Sequence, residues 1–122
     1  MDQDKILETV RERKALWGNY FEEYAQKLTV YGLAINKPFH IAVTAQDAVM
    51  TLALMKLARI QAIEAQLVDL RSRRNKVLNG NIVDKDLEEE ITCKELALID
   101  SELDYACYLW IARHYDEYKE MI

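Results

Sequence analysis

The stretch Ala48-Val49-Met50-Thr51-Leu52-Ala53-Leu54-Met55-Lys56-Leu57-Ala58-Arg59-Ile60 decides the fold. It has the length of a helix, contains no glycine or proline, and is apolar nearly all round. A helix of that kind belongs at the centre of a protein. Lys56 and Arg59 interrupt it, and charges there are costly unless paired or solvated by a cleft. Toward the C-terminus the pattern changes. Glu64, Asp69, Arg71, Arg73, Arg74 and Lys76 leave apolar positions at Ile63, Leu67, Leu70, Val77 and Leu78. This predicts a half-exposed helix projecting from the core as far as residue 77 or 78. Asn79-Gly80-Asn81 predicts its stop, with Gly or Asn in a left-handed cap. At the other end Thr44, with Asp47 three residues later, predicts an N-cap and capping box.

The flanking segments fall into place around that helix. A first helix is predicted over about residues 2–17, with a sparse stripe of Ile6, Leu7, Val10, Ala15 and Leu16. Gly18 breaks it. Asn19, with Glu22 three residues on, predicts a second capping box. The helix that follows shows an aromatic face of Tyr20, Phe21, Tyr24, Ala25, Leu28 and Tyr31, and Gly32 ends it. Ile35-Asn36-Lys37-Pro38-Phe39-His40 holds the only proline and reads as a linker. Asp84 or Asp86 caps a last helix running toward Met121. It folds back on the third as an antiparallel hairpin, because the connection is short. The expectation is one all-α domain over residues 1–122, an up-and-down bundle of about four helices. Its long hairpin extends over about residues 61–99.

Composition bounds the function. The chain has 122 residues, three Gly, one Pro and a net charge of −5. The scarcity of turn residues favours few, long helices. The acidic balance disfavours nucleic acid as a partner. No apolar run approaches the roughly 20 residues needed to cross a bilayer. The charged start Met-Asp-Gln-Asp-Lys lacks a signal-peptide apolar region. Cys93 and Cys107 are too few and too far apart for a disulfide framework or a metal motif. The expectation is a cytoplasmic protein with reduced thiols.

The chemistry-bearing candidates lie on the hairpin. Lys56 and Arg59 share a face about a turn apart and suit a phosphate, Arg as a planar fork and Lys as a point charge. Asp100 and Asp104 share a face of the opposing helix, with Tyr108 one turn further on. Either the four charges form structural ion bridges, or the carboxylates hold the cations ready for a ligand. Asp100 and Asp104 are also weak metal candidates, because Mg²⁺ needs only one or two carboxylates beside substrate phosphates. Glu22, Glu23 and Asp47 are explained by capping or surface placement. The aromatic set Trp17, Tyr20, Phe21, Tyr24, Tyr105, Tyr108, Trp110, Tyr115 and Tyr118 reads mostly as core, with Tyr108 the exception. Arg71, Arg73, Arg74 and Lys76 form a basic knot near the hairpin tip. His40 and His114 have no paired base or nucleophile, and no glycine-rich phosphate loop is present.

Three segments carry a resemblance. Arg11-Glu12-Arg13-Lys14-Ala15-Leu16-Trp17-Gly18-Asn19-Tyr20-Phe21 resembles the R…YGdF entry of an uncharacterised helical family of bacteriophages and prophages. Met55-Lys56-Leu57-Ala58-Arg59 is similar to its lKiaR segment. Asp100-Ser101-Glu102-Leu103-Asp104-Tyr105-Ala106-Cys107-Tyr108 is similar to its DSwxDxxxY segment at Asp100, Ser101, Asp104 and Tyr108. That family resembles a remote branch of the MazG-like all-α nucleoside triphosphate pyrophosphohydrolases. Those enzymes hold Mg²⁺ on an E-x-x-E and an E-x-x-D pair. Here Lys56 and Arg59 stand where the first pair would be, and they would repel a metal.

The resemblance implies a remodelled site that binds a nucleotide or related phosphate ligand without efficient catalysis, for sensing or sequestration. Lys56 and Arg59 would contact phosphate, Asp100 and Asp104 would orient them or read ribose, and Tyr108 would line the pocket. No cofactor is implied. One alternative is a Mg²⁺-dependent pyrophosphohydrolase. Another is an interaction module that inhibits a host defence protein. Homo-oligomerisation is expected too, because a lone hairpin would not fully bury Ile63, Leu67, Leu70, Ile91 and Leu96.

Overall fold

The computed structural model describes residues 2–31, 43–80 and 82–121. Among them the chain forms five helices and no strand: α1 (Gln3–Trp17), α2 (Tyr20–Tyr31), α3 (Ala45–Asn79), α4 (Lys85–Arg113) and α5 (Tyr115–Glu120). The fold is an all-α bundle built on the long antiparallel pair α3 and α4. Gly32, the linker at 35–40 and Asn81 lie outside the described residues.

The α3–α4 seam follows a coiled-coil logic. On α3, residues 56, 60, 63, 67, 70, 74 and 77 are spaced alternately by four and three, which keeps one stripe turned to a partner helix. On α4 the same spacing joins residues 87, 91, 94, 98, 101, 105 and 108. Toward the tip, Ile63, Leu67, Leu70, Leu87 and Ile91 close into a core cluster of their own. Four of the residues expected to need an oligomer, Ile63, Leu67, Leu70 and Ile91, are therefore at most 4% exposed within one chain. Leu96 alone stays open, at 58%. The interlocking seam buries what two loosely apposed helices would not. The basic knot is largely taken up in flanking ion pairs: Arg71–Glu95 at 3.5 Å, Arg74–Glu88 at 3.8 Å and Arg73–Asp69 at 4.0 Å.

The main core sits at the other end of the hairpin. Val10, Phe21, Val49, Leu52, Cys107, Trp110, Ile111 and Tyr118 meet there from all five helices. A satellite of Ala25, Leu28, Val43 and Ala48 joins α2 to the start of α3. The expected all-round burial of the first half of α3 stops at Ala53. Leu54 and Met55 are 43% and 57% exposed. The expected α1 stripe holds at Val10, which is buried, and at Ile6 and Leu7, which pack against the core. It fails at Ala15 and Leu16, which are exposed, Leu16 at 86%; Thr9 is buried instead. The inward face runs through Ile6, Val10, Arg13 and Trp17, at spacings of four, three and four.

The caps show which local signals won. Thr44 and Asp47 form the full capping box of α3. Asp84 caps α4 through its side chain, which accepts from Leu87 N–H at 3.1 Å. The Asn19–Glu22 box does not form: among the described residues the Asn19 side chain makes no hydrogen bond, and Glu22 instead accepts from the Tyr115 hydroxyl at 3.4 Å. Gly80 ends α3 at φ −86°, not left-handed, with its N–H bonded to Val77 O at 3.0 Å. Among the described residues the glycine with positive φ is Gly18, at φ 51° and ψ −120°. A positive φ with that ψ is a region side chains avoid.

The last helix does not run through to Met121. It breaks at His114, whose backbone lies at φ −130°, ψ 44°. The His114 ring stacks on Trp110 at 4.9 Å, with Nδ1 3.0 Å from Trp110 O. The break folds α5 back so that Tyr118 enters the core. Lys14 fastens it there: its Nζ donates to Tyr118 O at 2.6 Å, to Lys119 O at 3.1 Å and to Met121 O, and lies 4.9 Å from the centre of the Tyr118 ring. A cation on the last carbonyls of a helix satisfies acceptors that the helix leaves open.

Candidate functional site

Asp104 is the hub of the charged cluster. Its Oδ1 accepts from Arg13 Nη1 at 2.6 Å, and its Oδ2 pairs with Lys56 Nζ at 3.2 Å. The carboxylate is 25% exposed and each cation 32%. Three helices supply the three groups: α1, α3 and α4. Arg13 reaches inward because it shares the stripe of Ile6, Val10 and Trp17. The cluster carries one net positive charge. Arg13 uses one of its five N–H groups on Asp104 and Lys56 one of its three. Donors therefore remain on both cations. The guanidinium is held above its ordinary pKa: burial pulls it down, and the Asp104 hydrogen bond and charge outweigh that.

Arg59 and Asp100 do not join this cluster. Both are exposed, one turn nearer the hairpin tip than Lys56 and Asp104, and neither makes an ion pair among the described residues. On a helix, residues three or four apart share a face only roughly, and the a/d seam passes through Lys56 and misses Arg59. Of the five residues singled out from sequence, Lys56, Asp104 and Tyr108 come together.

Tyr108 connects the cluster to a cleft. Its hydroxyl is held above the ordinary tyrosine pKa, first by burial and then by the negative charge of Asp104, with Tyr20 and Arg13 also within electrostatic reach. The cleft has a volume of about 540 Å³ and is lined by Leu16, Trp17, Asn19, Tyr20, Glu23 and Tyr108. Trp17 and Tyr108 lie 5.9 Å apart between ring centres, and both rest on Phe21. The turn at Gly18 sets Trp17, at the end of α1, beside Asn19 and Tyr20, where α2 begins. The cleft is an open surface groove whose lining mixes aromatic rings with polar side chains.

From sequence alone Arg13 has no role, and Trp17 and Tyr20 read as core. The signal for Arg13 was present: a charge at the position where the 6, 10, 13, 17 stripe demands an inward residue. Cleft membership had no such signal, because it depends on how α1 and α2 meet α4. The segments 11–21, 55–59 and 100–108, distant in sequence, converge at this place through Arg13, Lys56 and Asp104. Among the described residues no three of His, Cys, Asp and Glu gather as a metal-holding group, and no helix is long and apolar enough to cross a membrane. In comparison with known proteins, the chain matches no family model, no curated protein and no solved structure.

Proposed function

We propose that this chain is a helical binding module for a nucleotide or a related phosphate-bearing small molecule, acting without efficient catalysis. One observation carries the reading. Two cations fixed by a single carboxylate leave a net positive charge and free N–H donors beside an aromatic cleft. Phosphate suits the cations and a base suits the aromatic walls. Asp104 acts as the positioning residue, since it fixes both cations through opposite oxygens. Arg13 replaces Arg59 as the partner of Lys56, and Arg59 and Asp100 lie outside the immediate contact set. The resemblance to the phage-type MazG-like family belongs to this proposal, supported by the convergence of its three segments on one cluster.

The enzyme alternative asks Asp104 to hold Mg²⁺ while both of its oxygens face cations. The host-protein alternative needs no small-molecule site. Self-association is retained as part of the proposal, on the exposed Val68, Leu96 and Ile99 rather than on the seam residues. Light scattering that finds a monomer at micromolar concentration removes it.

Thermal unfolding against a panel of nucleoside triphosphates, with and without Mg²⁺, tests the reading. A ligand that binds only the native state raises the melting temperature. The expected result is a metal-independent rise that is lost in Lys56→Ala and in Arg13→Ala. A rise only with Mg²⁺, accompanied by pyrophosphate release, favours the enzyme alternative. No rise with any nucleotide rejects both.

A further inference from the structure

We propose that the cleft selects guanine. The inference rests on the nucleotide reading and concerns its base. Asn19 immediately precedes α2 and Glu23 lies in its first turn, and the Glu23 N–H donates to Asn19 O at 3.0 Å, which brings the two residues together. Both line the cleft, and both are exposed. Neither side chain has a hydrogen bond or ion pair among the described residues, whereas the neighbouring Glu22 is engaged by Tyr115. The cleft therefore presents one free carboxylate and one free amide beside the aromatic rings of Trp17, Tyr20 and Tyr108.

An ionised carboxylate only accepts hydrogen bonds, so the base must bring donors to it. Guanine carries two adjacent donors, N1–H and the exocyclic amino group, which match the two oxygens of Glu23. Its O6 is an acceptor beside them, and the Asn19 amide is a donor beside Glu23. Hypoxanthine keeps N1–H and O6 and lacks the amino group. Adenine and cytosine set an acceptor nitrogen next to their amino group, and that nitrogen faces the second carboxylate oxygen without a proton. Uracil and thymine flank a single N–H with two carbonyls. The charges also fix the direction of binding. Glu23 repels phosphate, and Arg13 and Lys56 attract it beyond Tyr108. The base lies at the α2 end and the phosphates at the Arg13–Asp104–Lys56 end.

Titration calorimetry without Mg²⁺, using GTP, ITP and ATP on the full chain, tests this. GTP is expected to bind roughly tenfold or more tightly than ITP, the effect of one hydrogen bond to a charged group. In Glu23→Gln the ratio falls toward one. Asn19→Ala weakens GTP and ITP alike, because they share O6. Both positions are exposed and unpartnered, so unchanged melting of the unliganded variants verifies folding. ITP binding as tightly as GTP, ATP binding more tightly, or a guanine preference that survives Glu23→Gln overturns the inference. If nucleotides bind in a Lys56-dependent way without base preference, only the guanine assignment falls. If none binds, it falls together with the nucleotide reading.

Discussion

Replacing Asp104 by Asn isolates what the charged hub contributes. The substitution keeps the shape and removes the charge that holds Arg13 at 2.6 Å and Lys56 at 3.2 Å. Fully exposed ion pairs contribute about 0.2–1 kcal/mol, and breaking a fully buried pair costs about 3–5 kcal/mol. With the carboxylate 25% exposed and each cation 32%, this cluster lies between those limits. Its loss also leaves two cations facing each other. The expected destabilisation is about 1–3 kcal/mol. For 122 residues, an unfolding entropy of about 2.1 cal/mol/K per residue makes that a fall in Tm of about 4–12 °C. Inorganic phosphate should restore part of the loss, because an anion that binds the uncompensated cations stabilises the native state. Calorimetric melting of wild type and variant, with and without phosphate, reads both effects. A loss under about 0.5 kcal/mol, the level of ordinary surface changes, refutes the assigned geometry. Equal phosphate effects on the two proteins refute the idea that the cations form an anion site.

Gly18→Ala meets no atom within 4 Å of the new Cβ, yet it should destabilise by about 1–3 kcal/mol, because φ 51° with ψ −120° strains any side chain; unchanged denaturant unfolding would contradict the turn. Leu67→Ala, at a side chain 1% exposed in the tip cluster, should cost about 2–5 kcal/mol, and hydrogen exchange should quicken first along α3 and α4 near the tip. Burial, with Tyr115 and Glu22 nearby, pushes Tyr118 up to about 12. A raised pKa favours the neutral form in the folded state, so its contribution is complete below about pH 10 and is lost as pH rises toward 12. Tyr118→Phe should flatten that alkaline decline in urea-unfolding stability, and an unchanged slope would show that Tyr118 is not its source.

The sequence by itself determined the elements. Thr44 with Asp47, and Asp84 before Leu87, start their helices where local capping chemistry says they should. The heptad spacing of α3 and α4 gives each helix one stripe to cover, and the short connection between them favours a hairpin. These are short-range effects, set by neighbours within a few residues. Tertiary structure decided the rest. The Asn19–Glu22 box yielded to the Tyr115 contact. The break at His114 carries no glycine or proline to announce it, and Lys14, 100 residues away, holds its product in place. Lys56 and Asp104 were legible as partners because Lys56 lies on the α3 seam and Asp104 directly flanks the α4 seam, whereas Arg13 entered the site from a helix whose docking on α4 has no local signature. The cleft formed by Trp17, Asn19, Tyr20, Glu23 and Tyr108 exists only once three helices have packed. A side chain's address along its own helix follows from 3.6 residues per turn, but what stands opposite it follows from how whole surfaces fit.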